Sequence, residues 1–134
     1  MKAKILLIED NEQNRYLATF LLEAHGYEVV QATNGRHGLQ LARSEHPDLI
    51  LLDIQLPEMD GYAAARELRK IEGLTNTPIV AVTSYAMTGD RERALAAGCS
   101  GYIEKPIDPD SFAQQVGRFL EAAEGITLTD FSQD

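Results

Sequence analysis

Three stretches of this chain are apolar without alternation: Ile5-Leu6-Leu7-Ile8, Leu49-Ile50-Leu51-Leu52 and Ile79-Val80-Ala81-Val82. A strand with one wet face alternates apolar and polar residues. An unbroken run of four needs cover on both faces, as in a parallel sheet between two helix layers. Parallel neighbours need helical crossovers, and helical spacing recurs between the runs. Asn11 can cap a helix carrying Leu17, Phe20, Leu21 and Ala24, with Gly26 as its stop. Tyr27 to Ala32 alternates and suits an edge strand. Asn34 can cap a second helix to about Glu45, where Pro47 breaks it. Ala64, Leu68 and Ile71 mark a third helix after the turn at 55–61. Thr88 to Ala97 is a charged fourth helix with only Ala94, Leu95 and Ala97 as apolar contacts. Gly101 to Glu104 is a fifth strand, and Asp108-Pro109 opens a last helix with Phe112, Val116, Phe119 and Leu120 on one face. The result is a doubly wound α/β sheet of five strands and five helices.

Composition narrows the function. With 12 Lys+Arg against 21 Asp+Glu the net charge is −9, which repels nucleic-acid backbones and anionic lipid. The apolar runs are too short to span a bilayer, and acids reach too close to the N-terminus for a signal peptide. The single cysteine fits a reducing compartment, so a cytoplasmic location is expected. At 134 residues the chain reads as one domain over 1–124, with 125–134 a flexible tail and no output domain.

Open parallel sheets place their sites at the carboxyl ends of the strands. Those ends here are Glu9-Asp10, Asp53, Thr83 and Glu104-Lys105-Pro106. Polar residues are common where strands meet water, but crowded carboxylates repel. Two at about 4 Å cost roughly 4 kcal/mol at an effective dielectric of 20. A hard divalent cation and one lysine offset that charge, and such a set suits phosphoryl transfer to an aspartate.

At these residues the chain resembles the receiver domain of bacterial two-component response regulators. The likeness is carried by Ile8-Glu9-Asp10-Asn11, the stretch 52–61 from Leu52-Asp53 to Asp60-Gly61, Val82-Thr83-Ser84, and Gly101-Tyr102-Ile103-Glu104-Lys105-Pro106. It spans about residues 3 to 123, and the stretch 81–90 looks most like single-domain DivK-type regulators and the receivers of hybrid kinases. The resemblance implies a flavodoxin-like sheet in the order 2-1-3-4-5. It implies that Asp53 is the phosphoacceptor, taking its phosphoryl group from a histidine kinase or histidine phosphotransfer protein. Mg²⁺ would be held by Asp10, Asp53, Glu9 (directly or through water) and the Gln55 main-chain oxygen. A Glu at position 9 departs from the family's commoner pair of aspartates. Lys105 and Thr83 would bind the phosphoryl oxygens, Pro106 would follow a cis bond, and Tyr102 would rotate with Thr83 as the switch. The face of the fourth helix, fifth strand and fifth helix would then engage a downstream protein. Gln55, Ser84 and Tyr85 would flank the phosphoryl group. With no carboxylate at Gln55 and a ring at Tyr85, slow hydrolysis is expected.

The implied protein is a monomer, with dimerisation on phosphorylation left open, and binds neither nucleic acid nor membrane. It catalyses only its own phosphorylation and dephosphorylation. The rival readings are a receiver excised from a hybrid kinase, a Mg²⁺-dependent aspartyl-phosphate phosphatase, and a flavin carrier. The phosphatase would need a second Asp where Gln55 stands, and the flavin carrier a glycine- and hydroxyl-rich loop where Glu9-Asp10 stand. His25, His37 and His46 lack partners at ligand spacing, Cys99 reads as a packed residue, and Arg91 and Arg93 as a solvated face.

Overall fold

A computed structural model describes residues 2–84 and 88–123. Within them, strands β1 (Lys4–Ile8), β2 (Glu28–Ala32), β3 (Leu49–Asp53), β4 (Ile79–Thr83) and β5 (Gly101–Glu104) alternate with five helices. The helices are α1 (Glu12–Ala24), α2 (Gly35–Glu45), α3 (Gly61–Arg69), α4 (Thr88–Ala96) and α5 (Phe112–Ala123). The sheet is parallel in the order β2-β1-β3-β4-β5, so the alternating strand is an edge, as expected. Residues 85–87 and 124–134 lie outside the described residues, and with them Tyr85 and the expected tail.

The unbroken apolar runs are explained by two cores. Leu6, Ile8, Ile50, Leu52, Ile79 and Ala81 pack beneath α2, α3 and α4. Ile5, Leu7, Leu49, Leu51, Val80 and Val82 pack beneath α1 and α5 with Ala18, Leu22, Phe112 and Val116. Every residue of β3 and β4 is buried. At roughly 25 cal/mol per Å² of apolar area, this two-sided burial dominates the stability of such strands.

Local signals hold at the caps. Asn11 Oδ1 accepts the Asn14 N–H at 2.9 Å, and Asn34 Oδ1 accepts the His37 N–H at 2.8 Å. Asp60 Oδ1 accepts the Tyr62 N–H at 3.0 Å. Gly26 follows α1 with φ +94°, a conformation that suits glycine. Gly61 has no room for a side chain, because a Cβ there would enter the Ile54 backbone.

Three expectations need correction. On α1 the inward face is Ala18 and Leu22, whereas Phe20 (58% exposed) and Ala24 face solvent. The helix is apolar on more than one side, so spacing alone chose a stripe rotated by about one residue. On α4, Ala94 and Ala97 are buried, but Leu95 is 48% exposed and α4 ends at Ala96. Asp108 caps a hydrogen-bonded turn through Asp110 and Ser111, and α5 proper begins at Phe112.

One side chain ties the far end together. The Arg69 guanidinium donates to the Gly98 carbonyl at 2.7 and 3.2 Å, Leu74 at 2.8 Å, Thr75 at 3.2 Å and Thr77 at 2.7 Å. Charged hydrogen bonds of this kind contribute about 1.5–3 kcal/mol each, and not additively. Arg69→Met is therefore expected to lose about 3 kcal/mol, lowering Tm by roughly 10 °C in a calorimetric scan. Lys70→Ala, which removes only the exposed pair with Glu67, is expected to change stability by less than about 0.5 kcal/mol.

Candidate functional site

Side-chain alternation along each strand decides which end groups can meet. Glu9 continues the face of Ile5 and Leu7, Asp53 that of Leu49 and Leu51, and Lys105 that of Ile103. All three therefore emerge on the α1/α5 face at the carboxyl edge. Because β4 lies between β3 and β5, the lysine must reach across Val82, and its four-carbon stem can. Lys105 Nζ lies 3.2 Å from Glu9 Oε1 and 3.2 Å from Asp53 Oδ1. The Lys105-Pro106 bond is cis.

Glu9 and Asp53 are buried, at 4% and 3% exposure, while Asp10 is exposed. One carboxylate oxygen from each of Glu9, Asp10 and Asp53 falls within 4.8 Å of the others. Asp53 Oδ1 also accepts the Gln55 N–H at 2.9 Å, and Glu9 Oε2 the Asn11 N–H at 3.2 Å. The Glu9 carboxyl is pushed up from 4.5 to about 7, mainly by burial and then by its hydrogen bond to and repulsion from Asp53. The Asn11 N–H and Lys105 offset part of this. One ammonium does not neutralise three carboxylates. An all-oxygen set with surplus negative charge fits a hard divalent cation.

A cavity of about 330 Å³ adjoins the cluster, walled by Leu7, Leu17, Ala18, Val82, Ile107 and Phe112. Thr83 is buried at the end of β4, where its carbonyl accepts the Lys105 N–H at 2.8 Å. In register, Ala81 stands beside Tyr102 and Thr83 beside Glu104, so Thr83 and Tyr102 share the face beneath α4. Tyr102 is half-buried there. Ser84 and Gln55 are exposed at the mouth of the site.

Three contacts were not read from the sequence. Arg15 Nη1 donates to the Glu9 carbonyl at 3.0 Å and the Asp10 carbonyl at 3.3 Å, fixing the acidic strand end against α1. Its place in the first turn is a legible signal, since helix side chains lean toward the N-terminus. Arg91 lies over the Tyr102 ring at 5.8 Å and Arg93 over the Tyr62 ring at 4.4 Å, so these exposed arginines brace α4 on both flanks. Cys99 is buried and its thiol pushed up to about 11, as suits a packed residue. Among the described residues no histidine joins a group able to hold a metal.

Residues 5–117 match the response regulator receiver domain family. The chain belongs to that family. The receiver is 44% identical over 120 residues to the polar-differentiation response regulator DivK of Brucella ovis, covering 90% of this chain and 98% of that protein. Among solved structures, it superposes on the chemotaxis protein CheY4 of Vibrio cholerae with a TM-score of 0.86 at 28% identity, covering 89% and 99% of the two chains. It also matches the receiver domain of a sensor histidine kinase from Pseudomonas aeruginosa PAO1, with a TM-score of 0.82 at 36% identity over 90% and 98%. That structure has a magnesium ion coordinated in its active-site cleft. The fold order and the two-component assignment read from the motifs are thus borne out. No described helix of the receiver is long and apolar enough to cross a membrane.

The Glu9 shift has a direct consequence for stability. The folded state holds this proton more tightly than the unfolded chain does. Its contribution is therefore complete below pH 4.5 and lost as pH rises through about 7. In chelator, the wild type is expected to lose roughly 1–3 kcal/mol more than Glu9→Gln between pH 5 and 8. Urea titrations of both proteins across that range measure the difference.

Proposed function

We propose that this receiver is a phosphorylation switch in a phosphorelay, with Asp53 accepting a phosphoryl group from a phosphohistidine on a histidine kinase or histidine phosphotransfer protein. The observation that carries this reading is the buried Asp53 carboxylate, 3.2 Å from the Lys105 ammonium and beside two further acids at one sheet edge. Glu9, Asp10, Asp53 and the Gln55 main-chain oxygen are the groups that would hold Mg²⁺. When bound, the ion supplies positive charge against the phosphoryl oxygens.

The chain's own residues do the rest. An Asp53 oxygen forms a bond to phosphorus while the phosphorus–nitrogen bond to the imidazole breaks, and the imidazole nitrogen leaves with the electron pair. Lys105, paired with Asp53 beforehand, turns its ammonium to a phosphoryl oxygen. The Thr83 hydroxyl donates to another and is drawn toward the edge, and the Tyr102 ring follows into the space beneath α4. Arg91, resting over that ring, transmits its position to α4. The surface formed by α4, β5 and α5 then presents a changed face to a downstream protein. Few apolar side chains anchor α4, so its movement costs little. The only reactions catalysed are the domain's own phosphorylation and its reversal, in the cytoplasm.

Incubation with a small acyl phosphate, with and without Mg²⁺, followed by intact-mass measurement, tests this reading. One Mg²⁺-dependent phosphoryl group is expected on the wild type and none on Asp53→Asn. Equal uptake by Asp53→Asn, or rapid turnover of the donor with nothing retained, would contradict it.

A further inference from the structure

Gln55 and Ser84 close the mouth of the site by a contact that joins two loops. The Ser84 hydroxyl donates to Gln55 Oε1 at 2.7 Å, and the Ser84 N–H lies 3.5 Å from the same oxygen. Gln55 follows β3 and Ser84 follows β4, so the bond spans neighbouring strand ends, each residue two positions past the paired Asp53 and Val82. The Gln55 N–H is meanwhile held by Asp53 Oδ1 at 2.9 Å. The carboxamide of Gln55 is thus anchored at its backbone by the phosphoacceptor and at its oxygen by Ser84.

From this geometry we infer that Ser84 is a positioning residue that prolongs the life of phospho-Asp53 by occupying the side-chain oxygen, Oε1, of Gln55. This rests on the Asp53 reading above. In hydrolysis a water oxygen attacks phosphorus and the phosphorus–oxygen bond to Asp53 breaks. The bonding pair returns to the carboxylate, and the water's protons leave with inorganic phosphate. Attack is fastest when an acceptor beside the phosphoryl group orients the water by taking one of its hydrogen bonds. A side-chain amide has one such acceptor, its oxygen with two lone pairs, and in Gln55 the Ser84 hydroxyl and N–H both donate toward it, at 2.7 and 3.5 Å. What the amide leaves for the phosphoryl side is its NH₂, which donates and cannot orient an attacking water. Two neutral residues thus restrain a reaction that a free acceptor at the same place would assist.

The full chain, phosphorylated with a small acyl phosphate and Mg²⁺ and then freed of donor, is followed by intact mass as the phosphoryl group is lost. Ser84→Ala is expected to shorten the half-life by about threefold to tenfold, the worth of one side-chain hydrogen bond. Ser84→Thr, which keeps the hydroxyl, is expected to stay within about twofold of wild type. Gln55→Ala keeps its main-chain groups, and adding Ser84→Ala to it is expected to change nothing further, because the two act through one contact. Wild-type decay in Ser84→Ala, or an undiminished Ser84→Ala effect in the Gln55→Ala background, would overturn the inference while leaving Asp53 as the acceptor. A wild type that takes up no phosphoryl group would overturn both.

Discussion

The structure is organised around an electrostatic conflict at one edge of the sheet. Two buried carboxylates, Glu9 and Asp53, face the same ammonium 3.2 Å away, and a third, Asp10, stands beside them. Burying charge without a partner costs several kcal/mol per group, so this edge is the costly part of the structure whenever its charges are not offset. Everything that positions it is ordinary packing. Two apolar layers bury β3 and β4 completely, which fixes the strand ends rigidly. The Arg15 guanidinium holds the Glu9-Asp10 carbonyls, and Gly61 lets the loop after Asp53 fold back onto Ile54. The charge cluster is the destabilised part of an otherwise heavily stabilised sheet, a usual compromise at functional sites.

Much of this was legible in the residues. Unbroken apolar runs at 5–8, 49–52 and 79–82 demanded two covering layers, and the structure has them. That Glu9, Asp53 and Lys105 reach one edge was read from the strand ends, and that they share a face follows from counting by twos along the strands of the structure. Helical faces were less legible. Alternation in a strand has two outcomes, but a helix such as α1, apolar at Tyr16, Leu17, Ala18, Phe20, Leu21 and Leu22, admits several inward stripes. Tertiary packing chose Ala18 and Leu22, leaving the rings of Tyr16 and Phe20 stacked in solvent at a centroid separation of 6.5 Å. Contacts made by long charged side chains were least legible. Nothing in the order of residues told that Arg69 would gather carbonyls from two loops, or that Arg91 would lie over Tyr102.

Those arginines also explain how a rigid sheet can serve a switch. The C-terminal end of α4 is held through Gly98 by Arg69, while its body rests on alanines and on two arginine–aromatic contacts. Such contacts contribute about 0.5–1 kcal/mol at exposed sites, far less than the burial that holds β4. A helix fixed at one end and lightly braced along its length moves at little cost, and in the switch we propose it is the element biased by events at Thr83. In the proposed switch the stiffness of the sheet and the looseness of α4 are complementary, one holding the chemistry and the other reporting it.

The central claim is that the Asp53 edge is built to share its negative charge with a divalent cation. Calorimetric titration of Mg²⁺ into the wild type and into Asp53→Asn at neutral pH tests it most directly. One binding site is predicted in the wild type, weakened by roughly tenfold or more when the Asp53 charge is removed. Absence of a site in the wild type, or equal affinity in the two proteins, would contradict the account.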